Sequence, residues 1–232
     1  MHREIAVITI TTAILIVVGS ITVVWMAMRD HGALRTSRRG ILDACRPLLN
    51  NGLITHGGDD FPSLHGMRGS RRIHAALIPD TMTIRRLPQL WLSLTYFEQR
   101  PQSPEFAVLV RPAGTEFYSL TSQYDHRLAT PRGLPDEVLI RGSGPAAQAL
   151  LDRTASVLSR IFSDPKVKEV AVTARGLRLV WQANEGRRGE HLLLRQSVFD
   201  GDGVAAGDFE YLLDQLQTLS AAVDRVPEAL AS

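Results

Sequence analysis

From Ile5 to Met28 the chain runs for 24 residues without a charge, and the run is dense in Ile, Val, Leu and Thr. No other stretch narrows the possible folds as far. At ~1.5 Å rise per residue a helix of this length reaches roughly 36 Å, against ~30 Å of bilayer hydrocarbon. The run therefore predicts one transmembrane helix over 5–28 after a short tail at 1–4, with Trp25 at an interface. It is longer than the ~7–15 apolar residues of a cleaved signal, and no small-x-small site precedes Arg29.

Orientation follows from the arginines. Arg3 precedes the run, whereas Arg29, Arg35, Arg38 and Arg39 follow it closely. The positive-inside rule then predicts a single-pass protein of a cell inner membrane, N-terminus out and C-terminal domain cytoplasmic, with those four arginines touching the membrane surface. At 100° per residue Thr9, Thr12, Ala13, Ile16, Gly19 and Ser20 share one stripe of the helix. Small side chains let backbones approach in lipid, so this stripe is the expected packing face for a partner helix.

Beyond the run, 26 basic residues face 24 acidic ones and there is a single cysteine, which excludes a polyelectrolyte and a disulfide scaffold. Residues 29–100 hold 11 basic against 6 acidic residues, net +5, while 101–232 hold 14 against 17, net −3. The arginines are dispersed and the distal part is acidic, so nucleic-acid binding is not expected. Cys45 lies in an apolar run and is expected to be a small buried residue.

Two regions follow the membrane run. Residues 29–70 read as a basic juxtamembrane helix and loop: Thr36 or Ser37 caps a short helix that Asn51-Gly52 ends, and 55–70, rich in Gly, His and Asp, has no period. Residues 71–232 read as an α+β domain. Strands are predicted at 72–78, 90–98, 106–111, 137–141, 168–174, 177–183 and 190–199, and helices at 145–162 and 208–226. The fold class expected is thus α+β: one N-terminal transmembrane helix, then a largely antiparallel sheet covered by two amphipathic helices.

Val138 to Ala147, VLIRGSGPAA, resembles the strand-turn-helix opening of dinucleotide-binding Rossmann domains, which implies a pyrophosphate at the helix N-terminus. The motif departs from that pattern in having Ala147 for its third glycine. Thr173-Ala174-Arg175 stands where an acidic residue should close the next strand, and a two-residue hairpin follows in place of a crossover. A packing turn is the expectation. Asp200-Gly201-Asp202-Gly203 starts like a calcium loop but continues with Val204 and Ala205 and has Tyr211 at its twelfth position, so a solvated loop is expected. His56, His65 and His74, with Asp59 and Asp60, match no metal-ligand spacing.

No nucleophile elbow, phosphate loop, His-Glu-x-x-His or Cys-x-x-Cys pair occurs. Neither a catalytic residue, a cofactor, a metal nor a small-molecule substrate is expected. The function expected is that of a membrane-anchored accessory or scaffolding subunit acting by protein-protein binding, its partners being other integral membrane subunits and the lipid bilayer. The competing expectation is a membrane-tethered nucleotide-binding enzyme or sensor using the turn from Gly142 to Ala147.

Overall fold

In the computed structural model the described residues are 17–22, 25–26, 29, 36, 38–58, 60–81, 87–186, 199 and 203–225. Nine strands form one sheet: β1 (Asn50–His56), β2 (Pro62–Arg68), β3 (Arg71–Asp80), β4 (Gln89–Phe97), β5 (Phe106–Val110), β6 (His126–Arg127), β7 (Val138–Gly142), β8 (Val167–Thr173) and β9 (Gly176–Glu185). Their spatial order is β1-β2-β3-β4-β9-β8-β5-β7-β6. Every neighbouring pair is antiparallel. Two helices, α1 (Ala146–Ile161) and α2 (Ala206–Asp224), accompany the sheet.

The expected transmembrane helix has to be corrected. Among the described residues no helix is long and apolar enough to cross a membrane. The N-terminal helical residues described include 17–22, 25–26 and 29. Residues 5–16 lie outside the described residues. The 19-residue α2 has the length but carries Asp208, Glu210, Asp214 and Asp224. The single-pass assignment, the inner-membrane placement and the N-out orientation rested on that helix and go with it.

Alternation along the strands decides the two faces of the sheet. Leu64, Ile73, Ala75, Leu92, Leu94, Leu179, Val170, Val172, Val108 and Ile140 point to one face and are buried there. Onto them pack the stripe Leu150, Leu151, Leu158 and Ile161 of α1 and the stripe Phe209, Leu212, Leu213, Leu216 and Leu219 of α2. These spacings of three and four put each stripe on one helix face. Burying a side chain of this size is worth about 1.5–3 kcal/mol, so this shared core is the main source of stability.

A buried ion network ties strand to helix. Glu98, just beyond β4, pairs with Arg71 and Arg100. It also accepts from Ser220 Oγ of α2 at 2.6 Å. Arg100 then reaches Asp224 at the end of α2, also at 2.6 Å. Burial would raise the Glu98 carboxyl, but the hydrogen bonds from Ser220 and Arg100 and the charges of Arg100 and Arg71 hold it below the usual carboxylate range.

Residues 50–56 and 62–68 form strands where a helix end and a loop were expected. The short helix expected before them is a 3₁₀ helix, Asp43–Leu48, with Pro47 inside it. The strand expected at 190–199 lies outside the described residues except for Phe199, which bridges Gly186.

Candidate protein-binding edge

The second face of the sheet is covered over only part of its width. Between β5 and β6 the chain crosses this face as a strap, residues 111–125. Arg111, at φ 49°, starts it and donates from its guanidinium to Pro165 O and Val167 O at 2.7 and 2.9 Å. Lys168 pairs with Glu116 at 2.9 Å and donates to Arg111 O at 2.6 Å. The far end is held by Tyr124, which packs on Ala107 and Ala171 and donates to Glu105 at 2.9 Å.

Midway, Glu169 of β8 is fully buried beneath the strap. Its carboxylate accepts from Ser119 Oγ and, at 3.0 Å, from Leu120 N. Arg178 of β9 donates to it at 3.1 Å, to Tyr118 O at 2.8 Å and to Ser93 Oγ at 2.9 Å. Burial pushes the Glu169 carboxyl up, and Ser119 and Arg178 only partly offset that. Trp91, Tyr118 and Val180 close an apolar patch beside this network. This cover explains why β4, β5 and β8 are buried on both faces. A groove of about 380 Å³ runs between the strap and Leu109 and Leu139, with Phe117 at its lip, 65% exposed.

On the second face the cluster containing Tyr118 of the strap reaches β3 at Ile78, and His65 of β2 is exposed. Here the side chains alternate outward as Leu53 of β1, His65 of β2 and His74 of β3, in register across the three strands. Leu53 is 59% exposed. The rings of His65 and His74 stack with centroids 4.3 Å apart and planes 15° apart. Burial, then the neighbouring His65, holds the His74 imidazole below the ordinary histidine value. His56, opposite Pro62, falls on the other face, with Nε2 3.4 Å from Arg39 O. The three histidines are therefore not gathered, and among the described residues no group of three or more His, Cys, Asp or Glu is placed to hold a metal.

The sheet has two edges, and they differ. β6 is two residues long, and shortness is one device that blunts an edge. β1 is seven residues long and largely exposed. Its first half is irregular: the register shifts between Asn50 and Leu53, Asn51 has φ 55°, and Arg46 Nε donates to Gly52 O at 3.1 Å. Its second half, Leu53 to His56, pairs regularly with β2 and among the described residues has no strand on its outer side. A regular half-strand with an unpaired outer side is a template for an added strand.

The other expected site residues fall as follows. Gly19 and Ser20 are helical and exposed, whereas Thr9, Thr12, Ala13 and Ile16 lie outside the described residues. Arg29 lies over the Trp25 ring at 5.7 Å. Arg35 lies outside the described residues. Arg38 lies over Phe61 at 5.2 Å, and Arg39 pairs with Asp60 at 2.7 Å, so both are drawn onto the loop before β2. Asp200, Gly201 and Asp202 lie outside the described residues, and Asp59 does too.

The glycine turn is occupied by the fold itself. Ser143 N donates to Glu105 O and Glu105 N donates to Ser143 Oγ, at 2.9 and 3.0 Å. A Cβ at Gly142 would stand 2.8 Å from Ala147 Cβ and from Glu105 O. β7 and β8, which flank α1, each pair antiparallel with β5 between them, so α1 does not join adjacent parallel strands. Cys45 is buried, donates to Val204 O at 3.4 Å, and has its thiol pushed up to about 12 by burial and by Asp208. Nothing in the sequence signalled the edge, because the strand that forms it carries no alternation of apolar residues.

No family model matches the chain. Over 101 residues it is 31% identical to "Conserved oligomeric Golgi complex subunit 6" of Coccidioides immitis (strain RS), and the match covers 42% of this chain. It spans only 13% of that relative's length. The chain is thus similar, over part of its length, to a subunit of a protein complex. The similarity lends nothing to an integral membrane partner or to membrane anchoring.

Proposed function

We propose that the chain is a binding subunit of a larger protein assembly and that it binds by taking an extended partner segment onto the free half of β1. The observation that carries this is the contrast between the two edges. One is shortened, while the other leaves Leu53 to His56 regular, mostly exposed and, among the described residues, unpaired on its outer side. The partial similarity to a complex subunit supports a role through protein partners. The net +5 of residues 29–100, which include this edge, favours a partner segment bearing carboxylates.

Energetically such an edge is modest. Each backbone hydrogen bond gained contributes roughly 0.5–1.5 kcal/mol net, so a few of them need side-chain burial beside them. Leu53 supplies that burial. The test is amide hydrogen exchange on the full chain, free and in the complex it co-purifies with. The reading expects the amides of Leu53 to His56 that face away from β2 to slow in the complex. Unchanged exchange along β1, with protection elsewhere, would overturn it.

A further inference from the structure

We propose that His65 and His74 form a two-nitrogen site for a borderline divalent transition-metal ion, copper(II) before nickel(II) or zinc(II). The two residues are direct cross-strand partners on β2 and β3. Their imidazoles already lie face to face, with centroids 4.3 Å apart. No described residue hydrogen-bonds either ring; His65 is exposed and His74 half-buried. Cross-strand side chains on one face are held by the sheet itself, so the pair is positioned before any ion arrives.

The chemistry follows from the ligand type. Neutral imidazole is the common nitrogen ligand for these ions, with a metal-nitrogen distance of about 2.0–2.1 Å for zinc. Two nitrogens around one ion lie roughly 3 Å apart, closer than the present ring separation, so chelation asks for a swing of the rings and no backbone shift. Rotation about the bond to an imidazole is soft, with a broad and roughly two-fold preference. No carboxylate lies among the cross-strand and diagonal neighbours Leu53, Ser63, Met67, Arg72, Ala76 and Thr95. Water fills the remaining positions, and oxygen-seeking ions such as magnesium and calcium are not expected to bind. Arg72, on the same face of β3, lies over the Phe97 ring at 4.4 Å, and its charge weakens attraction for a dication. The order copper above nickel and zinc is the general one for nitrogen ligands.

The experiment is a titration of the metal-stripped full chain with zinc chloride and, separately, copper sulfate, followed by calorimetry and by the imidazole resonances of the protein. Zinc is expected to shift the His65 and His74 resonances together. His65→Gln or His74→Gln should each weaken the zinc affinity at least about tenfold and abolish the paired shift. His56→Gln, on the other face of the sheet, should leave both unchanged. His65 is exposed, so His65→Gln is expected to keep the cooperative unfolding transition of the parent. If His74→Gln does not fold, the single His65 substitution decides the matter. Absence of zinc binding, zinc binding that survives His65→Gln, or zinc binding lost with His56→Gln would each overturn the proposal.

Discussion

Glu169→Ala is the most informative single change, because the carboxylate it removes is what fastens the strap to the sheet. The side chain is fully buried and accepts from Ser119 Oγ, Leu120 N and Arg178. Removing it leaves Arg178, whose side chain is only 14% exposed, with Tyr118 O and Ser93 Oγ as its remaining partners. Breaking a buried pair from one side costs about 3–5 kcal/mol, and the two partners kept by Arg178 place the expectation near 3. For a chain of this size each kcal/mol lowers Tm by roughly 2–4 °C, so a fall of about 6–12 °C is expected. Urea denaturation of the full chain gives the free energy, and hydrogen exchange shows whether residues 111–125 open. Replacing both partners by apolar residues, Glu169→Leu with Arg178→Met, should recover much of the loss, since no charge is then left buried. A cost below ~1 kcal/mol for Glu169→Ala, or a double variant as unstable as the sum of the singles, would refute the assignment of the strap's anchorage to this pair.

Three further outcomes are expected. Gly144→Ala meets open space and an ordinary backbone, so it should be neutral or stabilise by up to ~1 kcal/mol. Gly142→Ala should cost about 1–3 kcal/mol through overpacking. Gly176→Ala, at φ 138° with Tyr96 O 2.1 Å from the new Cβ, should cost more than either, and denaturant midpoints rank the three. Stability should fall in acid. Glu98 and Glu116 are held below the usual carboxylate range, so what they contribute is present above the unfolded carboxyl pKa and lost as pH falls through their folded values. Glu169 is raised, so its contribution is present below the unfolded pKa and lost as pH rises through its folded value, and Glu169→Gln should flatten that second limb alone. Cys45 should resist thiol reagents in the native chain and react on unfolding, as counted by labelling with and without denaturant.

The part of the fold that was legible in the sequence is the part governed by period. Strands β3, β4, β5, β7, β8 and β9 and both long helices bury stripes whose spacing of two or of three and four is written in Leu, Val, Ile and Phe. β1 and β2 escaped because they lie at or beside an edge. In NNGLITH and PSLHGMR a strand is half exposed, so Gly, His and Asn stand where a central strand would carry apolar residues. Gly66 illustrates the point. It reads as a loop residue, yet a Cβ there would meet Leu49 Cβ at 2.7 Å, so the glycine serves close packing within a strand. Glu169 and Lys168 show the limit from the other side: they are charged residues of a central strand, and a strap lacking any period of its own supplies their partners. The membrane helix was inferred from hydropathy alone, and among the described residues the fold contains no helix able to cross. The free edge at β1 is a property of strand order and could not be read before that order was known.

The central claim is that a partner strand adds to β1, and a photo-crosslinker placed in turn at Leu53, Phe117 and Tyr211 tests it most directly. All three are exposed large apolar side chains, on the free edge, at the lip of the strap groove and on α2 respectively. The variants are expressed in the native host, irradiated, and the adducts identified by mass spectrometry. The account predicts a single partner adduct at Leu53 that maps to an extended, carboxylate-bearing segment, absent from Phe117 and Tyr211 and lost with Ile54→Pro or Thr55→Pro, whichever removes the outward amide. Adducts formed at Phe117 or Tyr211 and absent at Leu53 would contradict it.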